Sequence, residues 1–181
     1  MAGIDEIAAR IRKRLSAADS IDTVLLSCIQ SVCSSCEVPY GEAWTRYTEG
    51  PSLYMKAAWY LPELDLADFV SASRKLAFAP GVGLPGRTWQ SRQQEVIADL
   101  RTAPDFTRHA MAEAAGLRAA IGSPVFRGDD VVAVLVFMTS KIQRPLPELV
   151  QKAAALANDT IAARWPLPRT GTDHKPARLC S

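Results

Sequence analysis

The chain has 181 residues, 48% of them hydrophobic and 22% charged, with a formal net charge of +2. That composition fits one ordinary folded domain with terminal extensions and excludes the low-hydrophobicity, high-charge signature of disorder. The charge is too small to argue for nucleic acid, and no run of 18 apolar residues offers a membrane-spanning helix.

The opening MAGIDEIAARIRKR mixes charge into the apolar residues, so it lacks the uninterrupted core of a signal peptide, and the chain reads as cytoplasmic. Residues 3–16 predict a helix with Ile4, Ile7, Ala8, Ile11 and Leu15 on one stripe. The basic cluster of Arg10, Arg12, Lys13 and Arg14 reads as its solvated face. A second helix over 21–36, capped by Ser20 or Asp22, carries Ile21, Val24, Leu25, Cys28, Ile29 and Val32 at helical spacing, and it should stop before Pro39.

The period then changes. YGEAWTRY (40–47) and LYMKAAWY (53–60) predict two antiparallel strands around a TEGPS turn. A helix over about 65–75 should turn Leu66, Phe69, Val70 and Ser73 inward. FAPGVGLPGRTWQS (78–91) reads as a loop dense in Gly and Pro, and QEVIAD (94–99) as a short strand. Residues 104–116 predict a helix with Phe106, Ala110, Met111 and Ala114 on one side, stopped by Gly116. Two strands, 117–126 and 131–139, are joined by RGDD, and the unbroken VVAVLVF marks the second as central and buried on both faces. A last helix over 145–164 carries Leu149, Val150, Ala153, Leu156, Ala157 and Ile161, and the Pro-rich 165–181 reads as a tail or linker. Hairpin-joined strands flanked by amphipathic helices give an α+β class: a central antiparallel sheet of five or six strands. The N- and C-terminal helices pack on one face, and loops and short helices cover a pocket on the other.

The residues offer little chemistry. Cysteines stand at 28, 33, 36 and 180. Cys33 and Cys36 form a C-x-x-C pair without the second pair that a zinc site requires, and at a helix C-terminus, where the dipole opposes a thiolate. They read as structural thiols. No G-x-S-x-G turn and no Ser–His–acid set appears. His109 is the lone histidine before the tail. Asp99 and Asp105 read as a strand end and a helix start, and GVGLPGR lacks the ending of a phosphate loop. These readings identify no catalytic residue, no metal site and no cofactor.

The ordered series GVGLPGR-x-W, I-x-D, D-F-x-R, AGLRAAIGSPV and G-D-D-V-V-A-V-L, with YGEAW and AAWY before it, resembles GAF domains, especially those fused to histidine kinases and other signalling outputs. The resemblance spans roughly residues 21–164, leaving 1–20 as an N-terminal helical extension. It implies a sensory or regulatory domain, not an enzyme, with a small-molecule pocket in front of the sheet, or alternatively a ligand-free interaction or dimerisation module acting on a signalling partner. The family's cyclic-nucleotide motif is missing, since Asn158 is the only asparagine. The cysteine placement does not suit bilin attachment, and no cysteine between 37 and 179 supplies the loop thiols of the methionine sulfoxide reductases. Expected pocket walls are Trp44, Trp59, Phe78, Leu84, Arg87, Trp89, Ile97, Phe106, His109, Ala110, Ile121 and Phe137. Ile4, Ile7, Ile11, Val24, Cys28, Leu149, Leu156 and Ile161 are the expected face of a homodimer. Arg87 is expected to bond loop carbonyls or Asp99.

Overall fold

The computed structural model describes residues 4–15, 20–46, 50–141 and 148–162. Helix α1 (Ile4–Leu15) leads to α2 (Ile21–Cys36), which begins where the Ser20 side chain accepts the Thr23 amide and ends at Glu37 in the left-handed conformation. Strands β1 (Tyr40–Arg46) and β2 (Leu53–Tyr60) follow, then α3 (Ala67–Ser73), β3 (Ala77–Phe78), α4 (Gly83–Ser91) and β4 (Glu95–Ile97). Helix α5 (His109–Ala114), strands β5 (Ala119–Arg127) and β6 (Asp130–Thr139) and helix α6 (Glu148–Ala162) complete the order. The expected tail from residue 165 lies outside the described residues.

The six strands make one sheet in the order β3-β2-β1-β6-β5-β4, with every pairing antiparallel. The VVAVLVF strand is central, flanked by β1 and β5, as its lack of alternation requires. Each side of the sheet has its own core. Behind it, Leu25, Cys28, Ile29 and Val32 of α2 and Ala154 and Ile161 of α6 pack on Ala43, Ile121, Leu135 and Phe137. In front, Tyr40, Trp44, Val134, Val136 and Met138 meet Phe69, Phe78, Leu84 and Phe106. Helix α1 lies against α2 and α6, so the terminal helices form a layer behind the sheet.

Three details differ from the sequence reading. The Gly- and Pro-rich 78–91 stretch is not simply a loop, because it holds β3 and the nine-residue α4. Pro85 stands in the helix's first turn, where an amide is not needed. Gly86 is required there because a Cβ would run into the Ala79 carbonyl. The helix expected from residue 104 begins only at His109. Phe106 and Arg108 both enter the front core, and residues two apart cannot share a helix face. Ala110 and Ala114 are consequently exposed, and Ala112 is the buried alanine.

The third difference is a bulge. Ala43 pairs with Ala57 and Trp44 with Met55, so Lys56 is an extra residue in β2. Leu53 and Met55 face the front, and beyond the bulge Ala57 and Trp59 face the rear.

Gly83 sits at φ +59, and a Cβ there would approach the Phe78 ring to 2.7 Å. Gly83→Val is expected to destabilise the domain by about 2 kcal/mol or more, through left-handed strain and that clash. Denaturant unfolding measures it, and an unchanged midpoint would contradict the turn.

Candidate functional site

The front of the sheet is organised by a charge. Arg108, 1% exposed, is delivered by the turn before α5 into the front core. Its guanidinium nitrogens donate to both oxygens of Glu42 on β1, at 2.9 and 2.5 Å, and to Ser73 Oγ at 3.0 Å. The Tyr40 hydroxyl donates to the same carboxylate at 2.5 Å. The rings of Trp44, Phe69, Phe78 and Phe106 surround the guanidinium, with centroids 5.2–5.6 Å from its carbon. Each lies within cation–π range.

The alternation of β1 makes this possible. Tyr40, Glu42 and Trp44 all point forward, while Gly41 and Ala43 point back toward α2. A buried ion pair endures only when its geometry and added hydrogen bonds repay desolvation, and here both carboxylate oxygens are engaged. Burial pulls the Arg108 pKa down, but the charge and hydrogen bonds of Glu42 outweigh it, and the net direction is upward. Burial, reinforced by the Glu42 charge, pushes the Tyr40 phenol well up, so it remains a donor. The Arg108 Nε has no hydrogen-bond partner.

Of the expected pocket walls, Trp44, Phe78, Leu84, Ile97 and Phe106 come together in the front core, with Trp89 half-buried at its margin under Arg46. Trp59, Ile121 and Phe137 belong to the rear core instead. The β2 bulge reverses Trp59, and the alternation of β5 and β6 turns Ile121 and Phe137 toward α2 and α6. Ala110 is exposed. His109 stacks edge-on to Phe106 at 5.6 Å and, with Leu100, Arg101, Glu113 and Leu117, lines a surface cleft of about 300 Å³. Arg87 bonds Glu95 and the Asp105 carbonyl, each at 3.2 Å, rather than Asp99. Asp99 instead holds Arg101, whose hydrogen bond pulls the Asp99 carboxyl down to about 2.

Of the expected dimer face, Val24, Cys28 and Ile161 are consumed by the rear core and Leu156 is half-buried against it. The side chains of Ile4, Ile7, Ile11 and Leu149 lie outside the described residues. Sequence reading missed Glu42, Arg108, Ser73 and Asn158 as partners. A signal existed for the first two: Glu42 is the one charge before Arg46 in an apolar strand, and Arg108 closes the D-F-x-R motif. Their 66-residue separation hid the pairing. Among the described residues no cluster of metal-ligating side chains occurs.

Comparison with known proteins agrees with the fold. A family model for the GAF domain matches residues 18–163. Among solved structures, the GAF domain of a phosphoenolpyruvate-protein phosphotransferase from Coxiella burnetii has a TM-score of 0.71 at 16% identity, covering 88% of this chain and 90% of that one. The nlh2 GAF domain of A. aeolicus, in an inactive state, has a TM-score of 0.66 at 17% identity, over 87% and 90%. Free methionine-R-sulfoxide reductase from Neisseria meningitidis, in complex with its substrate, has a TM-score of 0.66 at 13% identity, over 89% and 90%. At such identities the likeness is one of fold. No curated protein matches.

Two outcomes follow from the geometry. Arg108→Met or Glu42→Leu alone is expected to cost about 3–5 kcal/mol, because the surviving charge is buried unpaired, while the double variant should cost less than the sum. Denaturant unfolding of all three reads this, and simple additivity would refute the pair as a unit. Burial raises the thiol pKa of Cys28 to about 12 and of Cys36 to about 11, and that of Cys33 well above its ordinary value. At pH 8 all three are thiols, so alkylation with peptide mapping should leave Cys28 and Cys33 unlabelled until unfolding. Rapid labelling of the folded chain would show otherwise.

Proposed function

The chain belongs to the GAF domain family, and on that premise we propose that it is a non-enzymatic regulatory domain whose signal passes through its terminal helices. The observation that carries this reading is a polar clasp between the sheet and the last helix. Asn158 of α6 donates to Ser123 Oγ at 2.6 Å and to the Pro124 carbonyl at 2.7 Å, both on β5. Gln94, just before β4, donates to the same Ser123 at 3.0 Å. Asn158 is 8% exposed, so these bonds are made away from water and fix α6 to one strand register. A displacement of β4 or β5 is thereby handed to α6, and through it to α1 and α2.

The remaining surfaces support a regulatory role. The described cysteines lie on α2, far in sequence from the front turns, and their raised pKa values suit structural thiols rather than a reductase. No described helix is long and apolar enough to cross a membrane, which fits a domain working in the cytoplasm. The partner in this reading is a second copy, joined through the outer face of α1 and α6, where Ala9, Lys13, Lys152 and Ala155 are exposed. An output domain or signalling protein then reads the helical layer. A small-molecule effector, where one exists, acts in front of the sheet by favouring one of two arrangements of that layer.

Sedimentation equilibrium tests the assembly. The chain should be dimeric at tens of micromolar, and Ala155→Glu should weaken association about tenfold or more by placing a charge in the seam. A monomer at every concentration would remove the homodimer.

A further inference from the structure

The front core holds a recognition chamber whose occupant is covalently part of the chain. A carboxylate offering both oxygens, a hydroxyl beside it, and four aromatic rings about a planar cation are what a guanidinium ligand requires. Here Glu42, Ser73, Trp44, Phe69, Phe78 and Phe106 supply them, and Arg108 fills them. Tyr40 completes the set by orienting the carboxylate.

The element that brings Arg108 in is slight. Between β4 and β5 the chain forms turns and the six-residue α5, and its backbone ties to the rest of the fold include Leu100 to the Arg118 carbonyl. Its other anchors are side chains: Leu100, Phe106, Ala112 and Leu117 in the front core, the guanidinium itself, and Arg87 of α4 donating to the Asp105 carbonyl. One nitrogen of that guanidinium, Nε, is buried without a partner, so the tethered cation does not satisfy its own donors. That unpartnered donor is a cost that the seated Arg108 carries and that its removal would relieve. The surface cleft lined by His109 and Glu113 lies on this same segment.

We propose that the Glu42 chamber is a binding site for a small guanidinium-bearing ligand, and that Arg108 is its built-in competitor. Ligand entry displaces Arg108 and releases residues 99–117 from the sheet. The inference rests on the front being self-occupied and is independent of dimerisation, which sedimentation reads separately. Because Arg108 is tethered and already seated, it competes at a high effective concentration, and the ligand must be abundant or make further contacts.

Methylguanidinium is the probe, and urea at equal concentration is the neutral control of similar shape. In Arg108→Ala, about 10 mM methylguanidinium should raise the melting temperature by about 3 °C or more while urea does not. Should the variant fail to fold alone, the same contrast is read in its refolding yield. Adding Glu42→Gln should abolish the response. In the unaltered chain, methylguanidinium should speed hydrogen exchange over residues 99–117 while β5 and β6 stay protected. Equal effects of urea and methylguanidinium on Arg108→Ala would overturn the site. Rescue of that variant without faster exchange in the unaltered chain would overturn the competition and leave Arg108 a fixed structural residue.

Discussion

The Arg108–Glu42 pair is the constraint around which the front of the molecule is arranged. A charge placed in an apolar core must be paired or the domain cannot keep it. Glu42 stands in the middle of the sheet on β1, so its partner has to come from the layer above, and the chain from β4 to β5 is shaped to bring it. This requirement shortens α5, turns both Phe106 and Arg108 downward, and draws Ser73 of α3 into the same network. Elements distant in sequence are thereby held to one point.

The rear of the sheet obeys different chemistry. Its core is built mainly of apolar side chains, and among its buried polar residues Asn158 is spent on a hydrogen-bonded clasp to β5. The sheet therefore separates a charge-centred front from a largely apolar rear that an amide clasp pins to β5. Burial and a half-exposed ion pair from Lys56 to Asp22 hold α2, whereas α6 has burial and direction, since hydrogen bonds to a single strand admit one register. That difference makes α6 the element best placed to report movement of the sheet edge.

Much of this was legible in the sequence. Periodicity located α1, α2 and α6, because those helices repeat their apolar residues on one face, and turn residues between apolar and aromatic runs located both hairpins. The unbroken VVAVLVF run identified the central strand. What failed did so for physical reasons. Helix α4 was hidden because Gly83, Pro85 and Gly86 are poor helix formers in general, yet each suits its own position in a first turn packed against backbone. The assignment of Trp59 to the pocket failed because one inserted residue inverts the alternation of β2. The site itself was hidden because it is a pairing between residues 42 and 108, and local pattern carries no information about such distances. The incongruity of a lone carboxylate in an apolar strand and the arginine closing D-F-x-R hinted at its two halves, not at their pairing.

The inserted Lys56 has a consequence of its own. Its ammonium reaches Asp22 in the first turn of α2, at 3.2 Å, so the residue that breaks the pairing rhythm also fastens the strand to the helix behind it. Removing it would let the two strands zip without interruption and leave every pair in place, with Met55 still opposite Trp44 in front and Ala57 still opposite Ala43 behind. Forcing Lys56 into the ladder would instead reverse everything beyond it, thrusting Trp59 among the front aromatics and Tyr60 toward α2. The irregularity thus acts as a phase setter, and the correct sidedness of an entire strand end depends on that one residue staying out of the ladder.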